Sequence, residues 1–269
     1  MVLREGEGKQ ARLNGARLTA AEQLRHELST LVFTPDRLVV VKGGPAGRRA
    51  YFDRVLGRLW PGRSALPADY AAAVGQRNAA LRRCSAGAAP RDTISPWTAQ
   101  VASLGARLVD ARRETLAALA QPLAEHAAEL GLPAAVLRYE AEPPTEPQLE
   151  ARLDRDLERG TTGLGPHLDE IGIASEGRDL RSFGSQGEQR LAVLALLLAE
   201  GALLAGRGPA PPLLLLDDVL SELDRRRRDT LVRLLPPGSQ ALITATEASA
   251  LPGAGAQVLE VSPGTVLAA

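Results

Sequence analysis

The sequence predicts an α/β fold with a mainly helical block inserted into it, and three observations carry that prediction. Four leucines, 213–216, stand between Pro-Pro and two aspartates, the pattern of a short strand buried on both faces of a parallel sheet. The stretch Gly184-Ser185-Gln186-Gly187-Glu188-Gln189-Arg190 opens an apolar helix over 191–204 just before that strand. A helix over 224–235 and the stretch Leu242-Ile243-Thr244-Ala245-Thr246 follow it, so strand and helix alternate as in βαβ units. Residues 45–160, by contrast, are spaced for helix almost throughout.

The chain has 269 residues, enough for one large domain or two ordinary ones. Its 32 Lys and Arg balance 32 Asp and Glu, so no global field draws it to nucleic acid, while a local basic patch stays possible. Lys9 and Lys42 are the only lysines. Cys84 is alone, which excludes an internal disulfide framework. No stretch approaches the eighteen or more uninterrupted apolar residues of a membrane span, and the opening MVLREGEGKQ has no secretory apolar region. A soluble, cytoplasmic protein without a membrane partner is expected.

From the start, residues 2–15 read as two short strands around a Gly-rich turn. Residues 30–33 and 38–41 are further strand candidates, rich in β-branched residues and separated by Pro35-Asp36. Gly43-Gly44-Pro45 marks a break. Tyr51, Val55, Leu59 and Trp60 then share a helical face, as do Tyr70, Val74, Arg77 and Leu81. A long amphipathic helix over 96–120 carries Leu104, Leu108, Leu116 and Leu119, with Pro122 as a kink point. Residues 136–140 suggest a strand, 146–159 a helix, and 170–174 with 179–183 a strand pair. Residues 258–261 read as a final edge strand.

The chemistry concentrates at two places. Asp217 and Asp218 fall at the carboxyl end of the leucine strand, where open α/β sheets put their ligands. Adjacent carboxylates are costly unless a positive charge joins them, and magnesium with attached phosphates meets that need. Ser185 and Glu188 have capping-box spacing, which by itself indicates a well-made helix start. The same helix N-terminus, preceded by Gly184, is also a ready anion site. His167 has no further metal-ligand partner at suitable spacing apart from Asp169, and reads as a structural hydrogen-bonder. Arg48-Arg49, with Arg54, Arg58 and Arg63, suit either a solvated helix face or phosphate contact. The run Arg225–Arg228 opposes the dipole of the helix it starts. Pairing with Glu222 and Asp229, simple exposure, or contact with DNA or a second subunit would each explain it.

These motifs resemble a known family. SQGEQ looks like the signature motif of ABC-type ATPases, and LLLLDDVLSELD like their Walker B strand and D-loop. Together with GPH (165–167), ITAT (243–246), FTPDRLVVVKGGPAGRRAYFDRVL (33–56) and QRNAALR (76–82), they resemble the RecF family of SMC-like ABC ATPases over essentially the whole chain. The resemblance implies an incomplete ABC-type ATPase head built from 1–44 and 161–269, with 45–160 as the helical lobe. It implies Asp217 on Mg2+, Asp218 orienting the attacking water, and Asp224 at a subunit interface. Ser185, Gln186, Gly187 and Glu188 would face the ATP held by a partner. It further implies an ATP-dependent homodimer, binding to DNA at single-strand gaps, RecO and RecR as partners, and a place in recombinational repair and the SOS response. It names no DNA-contacting residue.

One departure matters. Such ATPases grip phosphates with GxxxxGK[ST]. Lys9 is followed by Gln10 and Lys42 is preceded by Val41, so neither lies in that motif. The P-loop strand is therefore expected to be missing from this chain, through a misplaced start, a broken gene or a degenerate partner role. The isolated chain should bind ATP weakly or not at all, and a non-hydrolysing DNA-binding scaffold is the alternative function. Leu168 stands where a basic residue after GPH is expected. Thr244 and Thr246 occupy the region of the transporter switch histidine, which counts against a transporter subunit.

Overall fold

The computed structural model describes residues 12–13, 15–17, 29–207, 210–221, 223–247 and 256–268. The early strand expected from residue 2 lies mostly outside them. What is described is a two-residue pair, β1 (Arg12–Leu13) with β2 (Ala16–Arg17), turning at Gly15 with φ +83°.

The centre is a parallel three-stranded sheet in the order β3 (Thr30–Phe33), β7 (Leu213–Leu216), β8 (Ala241–Ile243). Thr30 pairs with Leu213 and Phe33 with Leu216, while Leu214 pairs with Ala241. The leucine strand is the middle one, as its composition suggests. Its faces differ, however. Leu31, Phe33, Leu214 and Leu216 are buried under the helix α8 (Gln186–Arg207). Leu213 and Leu215 are only half-buried, and Leu242 on β8 is 52% exposed. The expectation of burial on both faces holds for one face only.

Residues 38–41 are not a strand. A 3-10 turn (Pro35–Leu38) runs into α1 (Val39–Lys42). Thr34 is extended and Pro35 starts the turn with its fixed φ. Val40 and Val41 are both buried while Val39 is exposed. Adjacent buried residues suit a helical turn, whereas a strand would send them to opposite faces. The β-branched composition was overridden by packing.

The helical block comprises α2 (Pro45–Leu59), α3 (Leu66–Ser85) and α4 (Ser95–Glu129). The expected stripes are inside: Tyr51, Val55 and Leu59 on α2, and Tyr70, Val74, Arg77 and Leu81 on α3. α4 has 35 residues and continues through Pro122. At 1.5 Å per residue it is about 52 Å long. Leu116, Leu119 and Leu123 in its second half pack with Tyr51, Phe52 and α8 in the largest core cluster. The buried residues of a second cluster (Leu56, Leu66, Tyr70, Val101, Leu108, Leu149) and a third (Ala80, Leu81, Ile94) all lie in 45–160, with Leu164 packed against the second.

After β4 (Val136–Arg138), a complete capping box at Thr145 and Gln148 starts α5 (Glu146–Ala151). The helix expected over 146–159 is interrupted at Arg152 and resumes as α6 (Leu153–Arg159), which Gly160 ends at φ +64°. β4 pairs antiparallel with β5 (Gly172–Ser175), and β5 with β6 (Arg178–Asp179). The second strand expected over 179–183 stops at Asp179. That carboxylate accepts the Ser182 N–H at 3.1 Å and caps the short helix α7 (Leu180–Phe183). Beyond β7, α9 (Arg225–Leu234) leads to β8. The single C-terminal edge strand expected is in fact a hairpin, β9 (Leu259–Ser262) with β10 (Thr265–Ala268), turning at Gly264 with φ +77°.

α8 is long and apolar enough to cross a membrane by composition, but 72% of that window is buried inside the fold. It is the core helix of the molecule, covering the sheet on one side and α4 on the other.

Candidate functional site

The site grows from the end of β7. The Asp217 N–H donates to the Phe33 carbonyl at 2.9 Å, so the ladder to β3 reaches the first aspartate. Its side chain is exposed. Thr244, directly after β8, donates its backbone N–H to the Leu216 carbonyl at 3.0 Å. Its hydroxyl donates to Asp217 Oδ1 at 2.6 Å and accepts the Asp218 N–H at 3.0 Å.

Asp218 sits at φ +50°, in the left-handed region. Non-glycine residues enter it uncommonly, Asp more readily than most. Asp218 Oδ1 is buried with no hydrogen-bond partner among the described residues. A backbone in a strained conformation carrying an orphaned carboxylate oxygen is costly to the fold and is typical of a functional position. The Asp218 carbonyl accepts from the Ser221 hydroxyl at 3.0 Å, which tightens the turn. Val219, Leu220 and Leu223 anchor that turn in the core.

The helix that the second motif opens meets the acidic turn through Arg190 and Leu194. Asp218, Ser221, Arg190, Leu194 and Phe33 line one recess of about 40 Å³ between the acidic turn and the first turns of α8. The capping box is present in full: the Ser185 N–H donates to Glu188 Oε2 at 2.7 Å, and the Glu188 N–H donates to Ser185 Oγ at 3.2 Å. These bonds to Ser185 hold the Glu188 carboxyl below its ordinary value. Gly184 is required by close approach, because a Cβ there would lie 2.6 Å from the Leu180 carbonyl oxygen. Ser185, Gln186 and Gly187 are exposed. Phe183 beside them is 69% exposed, and Gln189 is turned inward to donate to the Leu180 carbonyl at 2.8 Å.

Asp224 caps α9, accepting the Arg227 N–H at 2.9 Å, with the Arg227 guanidinium 3.3 Å from its other oxygen. The arginine run thus divides. Arg227 donates to the Leu130 carbonyl at the end of α4, and Arg228 donates to the Leu220 carbonyl. Arg225 and Arg226 stand exposed, and Asp229 shows no ion pair among the described residues. Glu222 lies outside those residues.

The other candidates prove structural. His167 Nδ1 lies 2.7 Å from the Tyr70 hydroxyl and Nε2 lies 3.0 Å from the Thr162 carbonyl. A carbonyl only accepts, so Nε2 carries the proton and Tyr70 donates to Nδ1. Burial pushes this imidazole down from its ordinary value. Arg48 is neither solvated nor free for phosphate: it is buried, donating to the Gly43 carbonyl at 2.7 Å and pairing with Glu170. Arg58 pairs with buried Glu200 at 2.6 Å, and Arg63 pairs with Glu114.

Sequence reasoning missed Thr244 as the organiser of the acidic pair. A threonine within a strand pattern carries no signal of which side-chain bond it makes. It also missed the fork of Arg112 on Asp53, at 2.8 and 2.9 Å, and the Tyr139 hydroxyl 2.5 Å from Asp169. Arg112 and Asp53 lie on helices, while Tyr139 and Asp169 lie just outside the regular elements.

Paired carboxylates at the carboxyl end of the middle parallel strand, an exposed capped start to the helix that covers that strand, and an inserted helical block together define an ABC-type ATPase head. The SMC head domain bound to the C-terminal winged-helix domain of ScpA shares the fold, at TM-score 0.51 and 16% identity over 97% of this chain and 63% of that one. No family model matches the sequence. Curated relatives do. The DNA replication and repair protein RecF of Anaeromyxobacter sp. (strain K) is 39% identical over 96% of this chain and 74% of its own length. The RecF proteins of Synechococcus sp. (strain JA-3-3Ab) and Geobacter sulfurreducens are 35% and 34% identical, over 99% and 97% of this chain and 75% of each relative. The solved recombination mediator protein RecF with ATPrS, from the RecFOR pathway, superposes at TM-score 0.82 with 27% identity over 99% of this chain and 74% of that one. The chain belongs to the RecF family of DNA replication and repair proteins.

Proposed function

We propose that this chain acts in recombinational DNA repair in the cytoplasm as a RecF-type head that binds ATP and DNA at single-strand gaps. Its partners would be a second copy, joined in the presence of ATP, and RecO and RecR. The observation that carries the reading is the acidic turn: Asp217 and Asp218 at the end of β7, the latter strained and with an orphaned oxygen. That orphan is an open acceptor for a water beside a divalent cation held by Asp217. The cation in this reading is Mg2+, an ion that keeps several waters and takes substrate phosphates as ligands.

In this reading Asp217 holds the ion directly or through water, and Asp218 orients the attacking water. The ion would neutralise charge on the phosphates. Ser185, Gln186, Gly187 and Glu188 present an exposed helix start to the nucleotide of a partner, and Asp224 fixes the turn that meets it. We divide the chain as 1–44 with 161–269 for the head and 45–160 for the helical lobe. The buried residues of the two smaller core clusters all fall in 45–160, which supports that division, while the largest cluster joins the two parts.

A second reading, a non-hydrolysing DNA-binding scaffold, has its own observation. Lys42 ends α1 and does not open a helix after a glycine loop, and Lys9 lies in no GxxxxGK[ST]. Anisotropy with gapped duplex DNA tests what the readings share. Binding should weaken by about tenfold or more as salt rises from about 50 to about 200 mM. Absence of binding at the lower salt would overturn both. Sedimentation with ATP and phosphate-release assays then separate them: a nucleotide-driven dimer with turnover supports the ATPase, and DNA binding without either supports the scaffold.

A further inference from the structure

We propose that Thr244 is a positioning residue for the acidic pair, its hydroxyl setting both the direction of the Asp217 carboxylate and the backbone of Asp218. The inference rests on the reading of Asp217 and Asp218 as the cation pair. A hydroxyl has one proton and two lone pairs. Here the proton goes to Asp217 Oδ1 at 2.6 Å, and a lone pair takes the Asp218 N–H at 3.0 Å. The Thr244 backbone N–H holds the Leu216 carbonyl at 3.0 Å. One residue thus grips three consecutive residues of the neighbouring strand end.

The consequences differ for the two carboxylates. Asp217 Oδ1 is held by that bond, and Oδ2 is left without a partner among the described residues. Asp218 is held at φ +50° through its own N–H. A strained conformation persists only where its surroundings over-determine it, and Thr244 with Ser221 supplies that determination. Thr244 touches neither ion nor nucleotide in this scheme; it acts through the two aspartates.

Thr244→Val keeps the branched shape and removes both bonds, while Thr244→Ser keeps the hydroxyl. The probe is Mn2+ alone, titrated into the 269-residue chain and followed by electron paramagnetic resonance, with Asp217→Asn as the binding-negative control. Thr244→Val should weaken Mn2+ binding about tenfold, equivalent to about 1.4 kcal/mol, and Thr244→Ser should stay within about twofold of the parent. Amide exchange at Asp218, read without metal, should accelerate in Thr244→Val only. Mn2+ affinity unchanged in Thr244→Val overturns the proposal, as does Thr244→Ser as weak as Thr244→Val. If the parent binds no Mn2+ without nucleotide, exchange at Asp218 decides the positioning. Exchange unchanged in Thr244→Val overturns it; acceleration there but not in Thr244→Ser sustains it.

Discussion

Replacing Asp218 by glycine should make the protein more stable, and the size of the gain follows from the turn. Asp218 carries two costs, φ +50° and a buried Oδ1 without a partner. The left-handed conformation costs a residue with a Cβ about 1–2 kcal/mol, Asp lying at the low end. A buried unsatisfied acceptor costs about 1–3 kcal/mol. Asp218→Gly removes both and adds about 0.5–1 kcal/mol of chain entropy. The backbone bonds to Thr244 and Ser221 survive, since they use the N–H and carbonyl of residue 218. The net gain is about 2 kcal/mol, which for a chain of this size raises the melting temperature by roughly 4–8 °C. Thermal unfolding followed by circular dichroism, with a urea midpoint as a second measure, reads it. Asp217→Gly is the contrast: it removes the 2.6 Å bond from Thr244 at an unstrained position and should lower the midpoint. If Asp218→Gly melts at or below the parent temperature, the turn stores no strain, and the functional reading loses its main support.

Two further outcomes test the fold around the site. Arg77 is wholly buried, donating to Asp156 at 2.7 Å and to Thr162 and Thr98 at 2.9 and 3.1 Å. Arg77→Met, which strands the Asp156 carboxylate, should cost about 3–5 kcal/mol by urea unfolding, and Arg77→Met with Asp156→Leu should recover much of it; an additive double variant would refute this. Burial also pushes the His126 imidazole down, and both its ring nitrogens are buried without partners. The unfolded chain therefore takes up the proton near about pH 6.5 while the folded chain resists it, so stability falls as pH drops below that value. His126→Leu should lose less stability than the parent between about pH 7.5 and about 5.5. Equal losses in urea midpoint would show that His126 does not contribute.

The parts of this fold legible in the sequence are those where one local rule has no competitor. The leucine strand, the capped helix at Ser185 and the stripes Tyr51/Val55/Leu59 and Tyr70/Val74/Arg77/Leu81 all follow from spacing, and each is where spacing puts it. Val39–Val41 failed because β-branching and burial pointed to different structures, and burial decided. The strand expected over 179–183 ended at Asp179 because that side chain takes the Ser182 N–H and starts a helix, a contest that propensity does not weigh. At the site, the carboxylates were visible because two adjacent acids at a strand end are unusual. Thr244 was not, because its role depends on which strand lies beside β7. That pairing joins residues 214–216 to 241–243, a long-range fact. Arg48 shows the same limit from the other side: a basic pair at a helix start looked solvated, yet the chain 122 residues away supplies Glu170 to bury it.

The run Arg225–Arg228 gains an explanation from the same geometry. Four cations at a helix N-terminus oppose its dipole, each by about 0.3–1 kcal/mol when exposed. Asp224 offsets part of that by capping the helix with a carboxylate. Arg227 and Arg228 offset more, because each donates to a carbonyl: Arg227 to Leu130 at the end of α4, and Arg228 to Leu220 inside the acidic turn, which also accepts the Leu223 N–H. Those two bonds tie the turn carrying Asp218 to α9, and α9 to the long helix of the inserted block. The position of the acidic pair is thereby fixed from both sides, by Thr244 on the sheet and by two arginines on the helix. A sequence chosen only for helix stability would place acids, not arginines, at 225–228. That residues 227 and 228 are arginines is explained by the carbonyls they reach; Arg225 and Arg226 stand exposed and reach none.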